Sequence, residues 1–367
     1  MVQAILAMGT KSTPMKILDR YIGVAVFRSI ALVLLVLMAL DGFFRLAREL
    51  NKVGTGNYDQ SEMFIYLFLT TPAHAVEFFP VAALLGAIMG LGTLANESEL
   101  VVMRAAGVSL LRIAGSVLKA GFVLILTLML LAEFVVPPAE QYAQSRRSQM
   151  LAEQTALKTE NGFWSRDARS FLNIRGISPG GDISDIYIYE FNDDHQLHTT
   201  THAKRALYEN GQWILSDLTQ SQISLQGIKT RTFERAQWDS LLSPALINLI
   251  VVNPLQLSIR DLYRYYRYLV DNGQDADRYE LAFWARLILP LSIAVMLLLA
   301  VPFVFGPLRS VGVGQRIFIG FLVGLGFFLF NQAFNHLGIV YNIMPLLSAS
   351  LPALSFLVLA VVMIRRI

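Results

Sequence analysis

One stretch of 48 residues, Ile317–Ile364, contains no Asp, Glu, Lys or Arg. A transmembrane helix needs about 20 consecutive, mostly apolar residues, so this stretch is long enough to cross a bilayer twice. A break between the two crossings is predicted at Asn335–Pro345, where Gly, Asn and Pro interrupt the apolar run. The chain is therefore expected to be a membrane-spanning protein rather than a soluble globular one.

Four further apolar runs carry few charges, which brings the predicted number of spans to six, in two groups of three. These runs are Val24–Phe44, Met63–Asn96, Ala105–Val136 and Leu281–Leu308. The composition agrees, since 54% of the residues are hydrophobic and 16% are charged, whereas about 25% are charged in soluble domains. This composition is too apolar for an ordinary cytosolic enzyme. With no cysteine and a net charge of only +3, a disulfide scaffold and a basic nucleic-acid binder are also excluded.

The run Met63–Asn96 is too long for a simple crossing, because its 34 residues form a helix of about 50 Å against a hydrocarbon core of ~30 Å. Pro72 and Pro80 lie within it, so a kinked or tilted helix that projects beyond the lipid is predicted. Glycines spaced four apart, in GAIMG at 86–90 and GFLVG at 320–324, permit close packing between spanning helices.

The distribution of Lys and Arg in short loops sets the orientation of a membrane protein. Basic residues concentrate at the N-terminus, after spans two and four, and at the C-terminus. Both termini are therefore predicted to be cytoplasmic, with the segment between spans three and four outside. Residues 1–14 lack a signal peptide and a spanning run, and are interpreted as an upstream extension or an expression tail before Met15.

The segment 139–279 carries 15 basic and 17 acidic residues, as a soluble domain would. Alternating apolar residues predict strands at Leu172–Arg175, Asp185–Phe191 and Gln222–Gln226. Short strands separated by turn signals indicate a β-sandwich or jelly roll of about 90 residues. Its flanks, 140–154 and 258–272, are predicted to be helical connectors. The fold class is thus an α-helical membrane protein with six transmembrane helices and an inserted β-jellyroll domain, divided into 1–14, 15–138, 139–279 and 280–367.

Four charged residues at the outer end of span one are spaced as one helical stripe. They are Asp41, Arg45, Arg48 and Lys52. Guanidinium and ammonium groups suit a phosphate or another anion, although snorkelling toward lipid headgroups predicts the same pattern. Lys and Arg are usually enriched in cytoplasmic loops, so positive charge on the outer side is an exception. This exception favours the ligand-binding interpretation.

Residues 97–107 are predicted to form a short cytoplasmic helix, with Asn96 as its cap, Glu99 in the capping-box position and Gly107 at its end. Glu99, Met103 and Ala106 share one face. Such a helix suits docking into a cleft of a partner, but an ordinary interfacial turn has the same pattern.

Glu77 and Glu133 lie within apolar runs, where an ionised carboxylate is costly. A structural placement is favoured for both, with proton coupling at Glu77 as the alternative. The chain has no phosphate-binding G-x-x-x-x-G-K-[ST] motif and no metal-ligand cluster in its sequence.

Three motifs carry a resemblance that extends from about Met15 to the end of the chain. They are LDRYIG at 18–23, SELVVMRAAG at 98–107 and FGPLRS at 305–310. With three spans on either side of a β-domain, the chain closely resembles the LptF/LptG permeases of the lipopolysaccharide export system. The first and third motifs favour the LptG branch over LptF.

This resemblance implies a non-enzymatic permease subunit of an ABC exporter in a bacterial inner membrane. An LptF-like permease would pair with it above a dimer of the LptB-like ATPase, which binds ATP and Mg. LptC-like and LptA-like periplasmic jelly-roll proteins would receive the lipopolysaccharide. No cofactor and no nucleic acid are expected on this chain.

The resemblance also implies site residues. The ATPase-coupling residues would be Glu99, Met103, Arg104 and Glu97. The lipopolysaccharide-binding residues would be Arg45, Arg48, Lys52, Arg147, Phe43, Phe44, Phe327 and Phe330. Arg48 stands where the family has an acidic residue, Asn51 where it has Lys, and Gln144 where it has a basic residue.

Two other classes remain open from the residues. A membrane-anchored scaffold would bind a β-jellyroll partner without transporting anything, and would tolerate changes at Glu99 and in the stripe. A proton-driven carrier would need Glu77 or Glu133 and no ATPase.

Overall fold

The computed structural model describes residues 14–151, 157–167, 170–177, 183–192, 196–209, 212–224, 227–238, 254–305 and 312–366. Before the sheet the helices are α1 (Pro14–Leu50), α2 (Gln60–Asn96), α3 (Glu99–Ala105), α4 (Leu110–Leu130) and α5 (Val136–Leu151), with a π-helical turn at Leu131–Val135. After it come a 3₁₀ turn (Pro254–Gln256), α6 (Ile259–Asp271), α7 (Asp277–Phe305), α8 (Val313–Val340) and α9 (Pro345–Arg365). Residues 1–13, which hold most of the predicted extension, lie outside the described residues.

Within the part of the chain that the structure describes, six helical segments are long and apolar enough to cross a membrane. They are Ile17–Leu50, Gln60–Asn96, Leu110–Leu151, Asp277–Phe305, Gly314–Val340 and Pro345–Arg365. Three precede the sheet and three follow it, which confirms the predicted architecture. The predicted break between the last two spans is also present, since α8 ends at Val340 and α9 begins at Pro345.

The chain folds into two compact units. The helical unit comprises Met1–Asp41, Pro72–Ala132 and Trp284–Ile367. The sheet unit comprises Gly42–Thr71 and Glu133–Phe283. The end of α1, the start of α2 and all of α5 thus belong with the sheet.

In the helical unit, α2 is the buried centre, and it runs as one helix of 37 residues through Pro72 and Pro80. Gly86 faces the backbone of Ile30 on α1, and a Cβ at Gly90 would lie 2.9 Å from the Val26 Cα. On α8, Gly320 faces Ile88 of α2. Both predicted glycine pairs therefore bring a neighbouring helix against α2.

Among the described residues of the sheet unit, six antiparallel strands pair in chain order. They are β1 (Leu157–Asp167), β2 (Ser170–Ile177), β3 (Ile183–Phe191), β4 (Leu197–Glu209), β5 (Gln212–Ser224) and β6 (Gly227–Trp238). The inserted β-domain is confirmed, and the three predicted strands lie in β2, β3 and β5, with Leu225 and Gln226 outside the described residues. Each described strand pairs with its chain neighbours, so the sheet is a meander without a Greek-key crossover.

Alternation along the strands places one apolar face of the sheet inward. Ile174, Ile186, Ala203 and Leu218 lie opposite one another across four strands, and all four are buried. Leu262, Tyr265 and Leu269 of α6 join the same cluster, so α6 covers this face. Burial raises the pKa of Tyr265 far above its ordinary value.

Glu133 caps helix α6, which gives this carboxylate a structural place. Its Oε2 accepts a hydrogen bond from the Ile259 amide at 2.8 Å, and its Oε1 lies 3.5 Å from the Arg260 amide. Ser258 completes the cap by accepting from the Asp261 amide at 3.0 Å. Negative charge at a helix N-terminus is stabilising, so Glu133 fixes α6 to the π-helical turn of the third span.

Replacing Gly86 with Ala is expected to destabilise the helical unit by about 1–3 kcal/mol, because the new Cβ overlaps the Ile30 backbone. The thermal unfolding midpoint of the purified protein in detergent measures this loss. Gly115→Ala is the matched control, since a Cβ there meets nothing within 4 Å. Equal midpoints for the two variants would contradict the packing assigned to α1 and α2.

Replacing Glu133 with Ala is expected to destabilise the first turn of α6 by about 1 kcal/mol through loss of a cap. Hydrogen exchange of the α6 amides should then accelerate about fivefold. Ser258→Ala removes the other cap acceptor and serves as a comparison of similar size. Unchanged exchange in the Glu133 variant would show that its carboxylate does not hold α6.

Candidate functional site

The predicted lipid-binding cations lie on three elements of the sheet unit. Arg45 and Arg48 are on α1, Lys52 is in the turn that follows α1, and Arg147 is on α5. The prediction that Lys52 continues a helical stripe is wrong, because α1 ends at Leu50. Lys52 reaches the site through the turn instead.

Arg45 is directed into the helix pair rather than outward, and only 6% of its surface is exposed. Its guanidinium donates to Thr70 Oγ1 at 2.8 Å and to Thr71 Oγ1 at 3.2 Å, with the Leu67 carbonyl at 3.3 Å. These bonds join the end of α1 to the start of α2. Arg48 lies about 60° away around α1 and is exposed.

A carboxylate that the sequence reasoning missed, Glu49, occupies the centre of the site. It follows Arg45 by four residues, so the two share a buried face of α1. Glu49 Oε1 accepts from Lys52 Nζ at 3.0 Å and from Arg147 Nη2 at 3.0 Å, while Oε2 accepts from Arg147 Nε at 3.2 Å. Two of the four predicted cations are thus paired with one carboxylate.

Two tyrosines complete the surroundings of Glu49. Tyr58 donates its hydroxyl to Glu49 Oε2 at 3.4 Å. Burial, with the Glu49 charge adding to it, raises the pKa of Tyr58 to about 12, so this hydroxyl stays a donor at neutral pH. The Arg147 guanidinium lies 4.9 Å from the centre of the Tyr66 ring, within cation–π range.

The neighbouring turn of α5 carries a second ion pair and a buried carboxyl group. Arg146 binds both carboxylate oxygens of Glu62 on α2, at 2.6 and 2.7 Å. Glu140 is fully buried and accepts from the Gln144 amide at 3.4 Å. Gln144 also donates to the Tyr66 hydroxyl at 3.3 Å. Gln144 is thus a neutral bridge between Glu140 and Tyr66.

The four predicted phenylalanines are placed differently. Phe43 and Phe44 are 65% and 60% exposed, with their rings 5.8 Å apart. Their exposed surfaces suit contact with acyl chains. In the helical unit, Phe330 is partly exposed, whereas Phe327 is 3% exposed and packs its ring 5.1 Å from Phe356 of α9. Phe327 therefore supports its neighbours within the subunit.

The short helix predicted at 97–107 is present as α3 (Glu99–Ala105). The prediction that Asn96 caps it is wrong, because α2 continues through Asn96 and Ser98 is the N-cap residue, with a left-handed φ of 64°. The predicted end is confirmed. Gly107, at φ +88°, donates to the Arg104 carbonyl and Val108 donates to the Met103 carbonyl, as in a Schellman motif.

Contacts from α3 reach α1 and α7 within the helical unit. The Tyr21 hydroxyl of α1 donates to Glu99 Oε1 at 2.9 Å. The Arg104 guanidinium lies 5.9 Å from the ring of Phe305, the last residue of α7. Leu100 is buried, whereas Glu97 and Arg104 are exposed and Met103 is half-buried. Helix α3 is thus held against α1 and α7 and exposes charged and apolar side chains.

The LDRYIG motif also connects α1 to α4. Asp19 Oδ2 accepts from Lys119 Nζ at 2.7 Å, and its other oxygen accepts from the Ser116 hydroxyl. The third motif, FGPLRS, lies mostly outside the described residues.

A third group of ionisable residues lies where α1 meets α2 in the helical unit. His74 Nδ1 is 3.5 Å from Asp41 Oδ2 and 3.9 Å from Glu77 Oε2. Glu77 is thus near a histidine that can carry positive charge. Among the described residues, no group of three or more His, Cys, Asp or Glu is arranged to hold a metal ion.

The sequence is similar to that of known lipopolysaccharide export permeases. The model of the family "Lipopolysaccharide export system permease LptF/LptG" matches residues 20–366. The lipopolysaccharide export system permease protein LptG of Escherichia coli K12 is 37% identical over 359 residues, which cover 96% of this chain and 99% of that protein. The LptG protein of Haemophilus influenzae is 37% identical over 344 residues, covering 93% and 96%. The chain therefore belongs to the LptF/LptG family of lipopolysaccharide export permeases.

Proposed function

We propose that this chain is the permease subunit of an ATP-driven exporter that extracts lipopolysaccharide from the inner membrane and passes it toward the outer membrane. The family match over residues 20–366 carries this proposal. The six spans and the inserted sheet support it, because they provide a path through the membrane and a domain beyond it.

The partners follow from the same assignment. The chain pairs with an LptF-like permease above a dimer of an LptB-like ATPase, and LptC-like and LptA-like jelly-roll proteins accept the lipid from it. ATP and Mg are bound by the ATPase, and this chain has no cofactor of its own. Both termini are cytoplasmic and the sheet is periplasmic, which agrees with the loop distribution of Lys and Arg.

Helix α3 is proposed to couple ATP hydrolysis to the spans. Glu99 makes the ionic contact with the ATPase, and Glu97, Met103 and Arg104 contribute to the docking surface. The Tyr21–Glu99 hydrogen bond supports this role, because it links α3 directly to α1, so that a movement of α3 is transmitted to α1. The Arg104 contact with Phe305 gives a second connection, to α7.

Lipopolysaccharide is proposed to bind through the cations of the sheet unit and the exposed phenylalanines. Exposed Arg48 meets the phosphorylated headgroup first, and Lys52 and Arg147 follow. Arg45 holds the ends of α1 and α2 together beneath them. Phe43 and Phe44 of this unit contact acyl chains. Phe330 of the helical unit is proposed separately to contact acyl chains, and Phe327 and Phe330 both pack against Phe356 there.

Charge reversal at Glu99 is expected to abolish ATP-driven release of lipopolysaccharide from proteoliposomes that contain the complete transporter. Arg at this position would repel the cation expected on the ATPase. Tyr21→Phe should lower transport less, because it removes only the bond of 2.9 Å that orients Glu99.

The matched control for this experiment is Glu209→Arg, the same reversal at an exposed position on β4. It is expected to transport at the unaltered rate. Full transport by the Glu99→Arg variant would remove α3 from the coupling mechanism.

Arg48→Glu is expected to weaken lipopolysaccharide binding to the detergent-solubilised complex about tenfold or more, because an exposed cation facing a phosphate becomes a repelling charge. This position tests the site better than Arg45, whose buried bonds would be lost together with its charge.

Binding measured by fluorescence titration should stay unchanged for Arg267→Glu, a charge reversal at an exposed position on α6. If the Arg48 and Arg267 variants bind equally well, the headgroup lies elsewhere.

A further inference from the structure

One carboxylate with two donors binds the N-terminal part of α1 to α4. Asp19 Oδ2 accepts from Lys119 Nζ at 2.7 Å, and its other oxygen accepts from the Ser116 hydroxyl. Ser116 is buried, so one of the two donors lies in the interior of the helical unit. The partners are about a hundred residues apart in the sequence, so these bonds belong to the tertiary packing rather than to either helix alone.

One turn further along α1, the same two helices approach each other closely. Gly23 follows Asp19 by four residues and therefore lies on the same face of α1. A Cβ at Gly23 would lie 3.2 Å from the Cβ of Ala120, the residue directly after Lys119. Asp19, Ser116 and Lys119, which we call the clamp, thus form the polar end of a tight contact between α1 and α4.

Helix α3 is connected to both of the helices that the clamp joins. The Tyr21 hydroxyl of α1 donates to Glu99 Oε1 at 2.9 Å. The connection to α4 is covalent, since residues 106–109 alone separate α3 from α4. Within this linker, Gly107 and Val108 donate to carbonyls of α3, which stabilises its conformation. Helices α1, α3 and α4 thus form a closed triangle, and the clamp is its third side.

We propose that Asp19 is a positioning residue for coupling, and that the clamp makes the N-terminal parts of α1 and α4 move together with α3 during the ATP cycle. This inference rests on the proposed function, because it concerns the movement that the ATPase imposes on α3. Without the clamp, the exposed Tyr21 hydrogen bond would carry more of the connection from α3 to α1. Helix α1 also carries Arg48, which the proposed function assigns to the lipid headgroup.

The clamp can be weakened without unfolding the helical unit. The side chain of Lys119 is 70% exposed and that of Asp19 is 21% exposed. An ion pair so accessible to solvent contributes little to the free energy of unfolding. The packing of α1 against α2 at Gly86 and Gly90 does not involve the clamp. A change at Asp19 is therefore expected to alter the transmission of movement more than the fold.

A first experiment measures ATP hydrolysis and lipopolysaccharide release together, on the complete transporter in proteoliposomes. Asp19→Asn is expected to lower the amount of lipopolysaccharide released per ATP about threefold, because α1 then follows α3 less closely. Asp19→Glu keeps the charge and should keep most of this ratio. A variant that is merely destabilised would lose hydrolysis and release in proportion, so its ratio would not change.

The matched control is Asp217→Asn, the same substitution at an exposed position on β5. It is expected to leave the ratio of release to hydrolysis at the unaltered value.

A second experiment replaces the clamp with a covalent bond. The chain contains no cysteine, and the contact between Gly23 and Ala120 is close to the Cβ–Cβ separation of a disulfide, about 3.8 Å. In a chain that carries Asp19→Asn, Gly23→Cys and Ala120→Cys, oxidation is expected to restore the ratio and reduction to lower it again. The reduced sample controls for any effect of the cysteines themselves, and oxidation of the unaltered transporter controls for thiols of its partners.

The inference would be overturned by an unchanged ratio in Asp19→Asn, including a proportional loss of hydrolysis and release, which would leave Asp19 with a structural role. It would also be overturned if the disulfide blocked release, because α1 and α4 would then have to separate during the cycle. Failure of the disulfide to form on oxidation would contradict the close contact itself.

Failure of the proposed function would give a different result. The unaltered complex would then release no lipopolysaccharide when ATP is added, and the inference would fall with it. ATP-driven release by the unaltered complex, with the same ratio in Asp19→Asn, would leave the proposed function standing and remove only the role of the clamp.

Discussion

The ion pair between Glu49 and Arg147 holds together the helical part of the sheet unit. A charged group with little exposure is stable only with well-placed partners, and Glu49 has partners on α5 and in the turn that follows α1. Arg45 makes the corresponding connection to α2 through Thr70 and Thr71. The cations proposed to bind the lipid headgroup are therefore also the groups that fix these helices, so the proposal links ligand binding to local packing.

Much of the fold could be predicted from the sequence, because the hydrocarbon thickness dictates the length of apolar runs and the β-pleat dictates alternation. The six spans, the strands near Leu172 and Asp185, and the end of α3 at Gly107 follow from such local rules. The cap at Asn96 was predicted wrongly, because α2 continues where a local capping pattern indicates a new helix.

The candidate site was harder to predict, because its pairing is set by tertiary contacts. Periodicity along α1 identifies Arg45 and Arg48 but does not reveal that one is buried and the other exposed. Arg147 lies 98 residues from Glu49 along the chain, so their contact has no local signal. Glu49 itself could have been noticed as a carboxylate four residues after one cation and three before another.

Purification of the chain in mild detergent from native membranes tests whether it is the permease of a lipopolysaccharide exporter. Mass spectrometry then identifies what accompanies it. A soluble ATPase, a second permease of the same family and lipopolysaccharide are expected in one complex with the chain. Recovery of the chain alone, or only with periplasmic β-jellyroll proteins, would contradict this expectation and favour a membrane-anchored scaffold.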